Sequence, residues 1–235
     1  KMTKWFFLKI QIMFLLDKIK LSKKGIIVFG ARPGMGLSIN TLKIANKLAK
    51  SENVVFVSYQ TFKDKLINTI KYLDKSISPK LIINTDLKFF DYDFYKEIDK
   101  LIENNSAKTI ILDDLDDMLG ESFNLQAKDR DKLILELNTL AKKRNMRIIL
   151  NYRLTSKLEH RVSQKPILQD FTWSRNLIEQ ADQVYSIYRP EYYGIVKTLD
   201  FETGEECSTK NRLEIQVLKN GNYKEEEEEE EEEEI

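Results

Sequence analysis

The stretch Lys24–Ala49, KGIIVFGARPGMGLSINTLKIANKLA, decides how the rest of the chain is read. Ile26–Phe29 is a short apolar run without polar interruption, the composition of a buried strand. It breaks into Gly30-Ala31-Arg32-Pro33-Gly34-Met35-Gly36, and helical spacing begins at Ser38, with Leu42, Ala45, Leu48 and Ala49 on one face. Strand, glycine-rich turn and helix are the parts of a phosphate-binding loop. The glycines let backbone N–H groups close around phosphate oxygens, and the helix N-terminus adds partial positive charge. The pattern G-x-x-x-x-G-K-[ST] fits when counted from Ala31, which replaces the first glycine. Gly36 is then the second glycine, and Ser38 holds the position of the Mg²⁺-binding hydroxyl. Leu37 stands where the lysine belongs.

Further strands and helices follow. Val54–Ser58 is β-branched and apolar, a second buried strand, and Phe62–Leu73 is helical. Leu81–Asn84 reads as a short strand and Tyr92–Asn104 as a helix. Thr109–Leu112 is a third core strand that runs into Asp113-Asp114-Leu115-Asp116-Asp117. A carboxylate at the end of an apolar strand can hold Mg²⁺ through its water shell. Asp116 and Asp117 read as a solvated loop rather than a second metal site. Lys132–Asn145 places Leu133, Leu137, Leu140 and Ala141 at helical spacing, and Arg147–Leu150, Gln183–Tyr188 and the alternating Leu213–Lys219 are strands.

These motifs, in this order, resemble the DnaB-type replicative helicases. GARPGMG followed by a hydroxyl residue is similar to that family's phosphate loop, GARPGMGKT. Asp113 matches the aspartate of V-I-D-Y-L-Q-L, and Ile178-Glu179-Gln180-Ala181-Asp182 is similar to I-E-Q-D-A-D. Tyr188-Arg189-Pro190-Glu191-Tyr192-Tyr193 copies Y-R-P-E-Y-Y. The resemblance spans about Leu16 to Asn222 and implies an α/β fold, a RecA-like P-loop core with a mainly parallel central sheet flanked by helices. It implies a nucleotide site at Gly34, Met35, Gly36, Leu37 and Ser38, with Arg189 beside it and Lys219 reaching a neighbouring subunit's phosphate. Ser38 and Asp113 would hold Mg²⁺. Lys157, Arg161, Lys165 and Arg175 would lie in the loop that faces single-stranded DNA.

The departures fall on the chemistry. Ser58-Tyr59-Gln60-Thr61 resembles the family's S-L-E-M, and Gln60, at the general-base position, can orient a water but cannot accept its proton. Aligning Leu154 with the leucine of A-L-S-Q-L puts Arg153 at the γ-phosphate sensor. Lys219-Asn220-Gly221-Asn222 keeps the lysine of K-x-R-N-G and has Gly221 in place of its arginine finger.

At 235 residues the chain is long enough for one large domain, and 42% hydrophobic with 32% charged residues suits a globular protein. Its formal net charge of +0 hides an asymmetry. Residues 225–234 are consecutive glutamates, and outside them 38 basic side chains face 28 acidic ones, a balance of +10. A basic body suits a nucleic-acid partner, or simply a solvated lysine surface. The expected organisation is an N-terminal apolar segment or linker at 1–20, the RecA-like domain at 21–224 and a disordered acidic tail at 225–235. Trp5–Leu16 is interrupted by Lys9 and Gln11 and falls short of the roughly 20 apolar residues of a membrane span, so no membrane partner is expected. The single cysteine, Cys207, fits a reducing, cytoplasmic setting, and the single histidine, His160, reads as a surface residue.

The resulting expectation is a helicase-derived protein of DNA replication with impaired ATP hydrolysis and weak binding of ATP and Mg²⁺. It would act by binding single-stranded DNA, a replicative helicase or another replication protein, in a homo- or mixed oligomeric ring. The alternative is a working ATP-dependent helicase in which Arg32, Lys43 or Arg153 supplies the missing charge.

Overall fold

A computed structural model describes residues 19–74, 76–87, 94–119, 127–199 and 204–221. Nearly all of the expected apolar segment and the whole acidic tail therefore lie outside the described residues. The apolar runs become strands β1 (Gly25–Ala31), β2 (Val54–Ser58), β3 (Leu81–Asn84), β4 (Thr109–Asp113), β5 (Arg147–Arg153) and β6 (Gln183–Tyr188). A separate hairpin of β7 (Lys197–Leu199) and β8 (Glu206–Ser208) precedes β9 (Glu214–Asn220). The main sheet has seven strands in the order β3-β2-β4-β5-β1-β6-β9. Its neighbours are parallel except β6 and β9, which pair antiparallel.

Helices α1 (Leu37–Leu48), α2 (Lys63–Asp74), α3 (Phe94–Asn105), α4 (Leu115–Leu119), α5 (Ala127–Arg144) and α6 (Arg175–Gln180) surround the sheet. Successive strand residues point to opposite faces. Ile26, Val28, Ile148 and Leu150 therefore join Ile98 of α3 and Leu137 and Leu140 of α5 in one apolar cluster. Ile27, Phe29, Phe56 and Ile149 join Leu42 and Ala45 of α1 and Ile70 of α2 in another. Helices cover both faces, which is why these strands are apolar throughout instead of alternating.

Several elements differ from expectation. The helix expected over Lys132–Asn145 begins five residues earlier, at Ala127, and the strand expected to end at Leu150 continues to Arg153. The segment carrying Asp116 and Asp117 is the short helix α4, not a loop. The polar stretch 155–175 holds two 3₁₀ turns, Ser156–His160 and Leu168–Asp170, and the start of α6. Among the described residues, no helix is long and apolar enough to cross a membrane.

The register places the C-terminal ends of the parallel strands together. Ala31 lies level with Arg153 of β5 and Ile187 of β6, and Ser58 lies level with Asp113. In open α/β sheets this is the end where ligands bind. At the opposite end Asp182 fastens three strands. It receives the Ile26 N–H on Oδ2 at 2.8 Å, donates its own N–H to the Ile26 carbonyl at 2.8 Å, and accepts the Gly221 N–H at 2.8 Å. Gly25, at φ +92°, leaves room for the carboxylate, since a Cβ there would lie 2.0 Å from Oδ2. Asp182→Ala is expected to destabilise the fold by about 1–3 kcal/mol, because the Ile26 amide loses its acceptor. Denaturant unfolding against wild type measures this.

Candidate functional site

The phosphate loop follows directly from β1. Gly34 and Gly36 adopt φ +82° and +85°, a left-handed conformation that side-chain-bearing residues rarely take, and Gly36 caps α1. Asn40 ties the turn to the helix, its Nδ2 donating to the Gly36 carbonyl at 2.7 Å. Met35 is buried, whereas Pro33 and Gly34 are exposed. Arg32 points away from the turn, with Nε on Glu159 Oε1 at 2.8 Å and Nη1 on the Leu154 carbonyl at 2.6 Å. Gly30 is squeezed from the other side: a Cβ there would meet the Phe171 ring at 2.3 Å. Leu37 is half-buried and packs on the apolar cluster that contains Ala31, Met35 and Ile187.

Beneath the loop lies a buried polar network. The Ser38 hydroxyl donates to Asp113 Oδ1 at 2.9 Å. Asn151, fully buried on β5, donates through Nδ2 to the same oxygen at 2.6 Å and to Thr41 Oγ1 at 2.8 Å. Burial pushes the Asp113 carboxyl up to about 6, although the Asn151 and Ser38 donors pull it down. Asn151 Oδ1 and Ser58 Oγ are buried without a hydrogen-bond partner. A hydroxyl and a carboxylate side by side are the oxygen donors a hydrated Mg²⁺ takes, so Ser38 and Asp113 fit that ion.

The outer groups do not complete a hydrolytic site. Arg153 Nη2 is shared between Asp114 Oδ2 at 2.6 Å and Asp117 Oδ2 at 2.7 Å. Asp117, expected in a solvated loop, is thus held on α4 by an ion pair. Gln60 is exposed just beyond β2, and a glutamine cannot act as a base there. Arg189 lies 3.8 Å from Glu191, and the 3₁₀ turn Pro190–Tyr193 brings the Tyr192 ring 3.4 Å from where a Gly34 Cβ would stand. Lys219 lies away from its own chain's phosphate loop. It sits level with Val184 and donates to the Ile178 carbonyl at 2.8 Å. The Gly221 N–H is taken by Asp182, and a Cβ there would meet the Asp182 carbonyl at 3.1 Å.

The four basic residues expected at DNA are not equivalent. Lys157 and Arg175 are exposed. Arg161 donates to Asp170 at 2.8 Å and to the Lys165 carbonyl at 3.0 Å. Lys165 pairs with Glu214 at 2.8 Å and lies over the Tyr188 ring at 5.6 Å. His160 is exposed, and among the described residues no group of three or more His, Cys, Asp or Glu side chains could hold a metal. Sequence reasoning missed Asn151 and the acids that hold Arg153. The available signal was a polar residue directly after the apolar run Arg147–Leu150, on the strand beside β1.

A carboxyl that titrates higher in the folded chain than in the unfolded one adds stability below its unfolded value. That stability is lost as pH rises through the folded value. Asp113→Asn removes the titration. From about pH 5 to about pH 7, wild type should lose about 1–2 kcal/mol relative to the variant. Denaturant unfolding at the two pH values reads the difference.

Comparison with known proteins agrees with this geometry. The replicative DNA helicase DnaB of Mycoplasma pneumoniae is 26% identical over 235 residues, covering 84% of this chain and 48% of the relative. The chain spans about half the length of the curated relatives it matches. Among solved structures, an ATPase domain determined on its own superposes with a TM-score of 0.69 at 18% identity, covering 86% of this chain and 79% of that one. A DnaB-like replicative helicase, solved with its interactions with primase, gives a TM-score of 0.66 at 18% identity, covering 85% of this chain and 53% of that one. These likenesses, with the mainly parallel sheet, establish the RecA-like α/β core. The model of the DnaB-like helicase C-terminal domain matches residues 80–227, more than half of the sequence, and the chain belongs to that family.

Proposed function

We propose that this chain works in DNA replication as a DnaB-helicase-like binding protein rather than as an efficient motor. It would engage single-stranded DNA, or a replicative helicase or other replication protein, in a homo- or mixed ring in the cytoplasm. One observation carries the reading: an intact phosphate-loop scaffold surrounds side chains of the wrong chemical kind. Leu37 offers no cation, Gln60 no base, Gly221 no guanidinium, and Arg153 is engaged by Asp114 and Asp117. Loss of an arginine finger alone lowers turnover by about 10³–10⁵. Loss of a general base lowers it by about 10²–10⁴, and although such losses do not simply add, a fraction of them disables a motor. Ser38 and Asp113 still provide for Mg²⁺, and Gly34–Ser38 for phosphate, so ATP would bind weakly. The engagement of Arg153 weighs against its substituting for the lysine.

DNA-stimulated ATP turnover is expected well below about one per second, the lower range of typical enzymes. Turnover at or above that rate would refute the reading. Single-stranded DNA should bind in a salt-dependent way through the exposed Lys157 and Arg175. Replacing both by alanine should weaken binding and reduce the slope of log affinity against log salt by about 1. An unchanged slope in a fluorescence-anisotropy titration would exclude these two side chains from the contact.

A further inference from the structure

We infer that the phosphate loop of this chain prefers a nucleoside diphosphate to a triphosphate. The inference rests on the loop's being the nucleotide site and extends that reading to the ligand it selects.

The two halves of the site differ in chemistry. A P-loop cradles the α- and β-phosphates mainly with backbone N–H groups, whereas its lysine reaches the β- and γ-phosphates. The first half is present: Gly34 and Gly36 turn the backbone, α1 begins at Leu37, and the Ser38 hydroxyl stands 2.9 Å from Asp113 Oδ1. In the second half, Leu37 presents an apolar side chain folded onto the core. The Arg153 guanidinium shares one nitrogen between Asp114 at 2.6 Å and Asp117 at 2.7 Å. At Gly221 there is only a backbone amide, already given to Asp182.

Carboxylates remain at the strand ends. Asp113 and Asp114 are buried and Asp117 is half-buried. Beside Asp113, the Asn151 carbonyl oxygen is fully buried with no donor facing it. An acceptor and three acids suit a hydrated cation and oppose the oxygens of an additional phosphate. A terminal phosphate would surrender hydration here without gaining a counter-charge. It could take Arg153 only by leaving Asp114 and Asp117 without their cation. A diphosphate avoids both penalties and keeps the backbone cradle.

Competing titrations on the full chain test this, with fluorescently labelled ADP and a labelled non-hydrolysable ATP analogue, each with Mg²⁺. The diphosphate is expected to bind at least about threefold tighter, a difference of under one decade in the dissociation constant. Equal or tighter binding of the analogue overturns the inference, as does failure of both ligands to saturate the chain. Leu37→Lys should move the affinity ratio about tenfold toward the analogue. An unmoved ratio in a variant whose thermal melt matches wild type also overturns it. If the variant does not fold, the wild-type comparison decides alone. Labelled single-stranded DNA is titrated into the same samples, so failure of the DNA-binding reading is seen separately from failure of the nucleotide preference.

Discussion

A single buried carboxylate joins the parts that make this fold a ligand-binding fold. Asp113 at the end of β4 receives Ser38 from the first turn of α1 and Asn151 from β5, and Asn151 reaches on to Thr41 one turn further along the helix. Three elements far apart in sequence are thereby locked at the strand ends, where apolar packing alone sets no fine geometry. Polar groups this deep require partners, and once partnered they specify one arrangement. The phosphate loop holds its shape because α1 cannot slide along β4 without breaking that network.

The same architecture explains how the scaffold outlasts the loss of catalytic groups. The residues that fill the two apolar clusters are not the residues that would touch a terminal phosphate. Leu37 illustrates the point: it lies on the edge of the cluster around Met35 and Ile187, where an apolar side chain is tolerated and a lysine would need a charged ligand or solvent for its head. Gly221 fits its place too, pressed against the Asp182 carbonyl that accepts its amide. In both places the side chain agrees with the packing of the single chain.

The central strands were legible because both faces of the sheet are covered, so runs such as Ile26–Phe29 and Val54–Ser58 carry an unbroken apolar signal. The continuation of β5 through Asn151 to Arg153 was not legible. Its polar side chains are buried through bonds to partners more than thirty positions away, which no local pattern encodes. The pairing of Arg153 with α4 was hidden for the same reason, and so was the helix itself, whose acids read as solvent-facing. Basic charge in the stretch after β5 was visible in composition. That Arg161 and Lys165 spend it on Asp170 and Glu214 depends on how the stretch folds back. The hairpin of β7 and β8 is largely exposed and leaves little hydrophobic trace.

Arg32 stands at the start of the phosphate loop, yet its side chain belongs to the segment after β5, where it holds Glu159 and the Leu154 carbonyl. Two of its contacts thus cross from the turn that would enclose a ligand to the stretch bearing Lys157 and Arg161. A rigid tie of this kind works as a linkage rod: displacement at one end is delivered to the other without rearranging the sheet between them. Whatever reshapes the turn must either carry Glu159 along or surrender the tie.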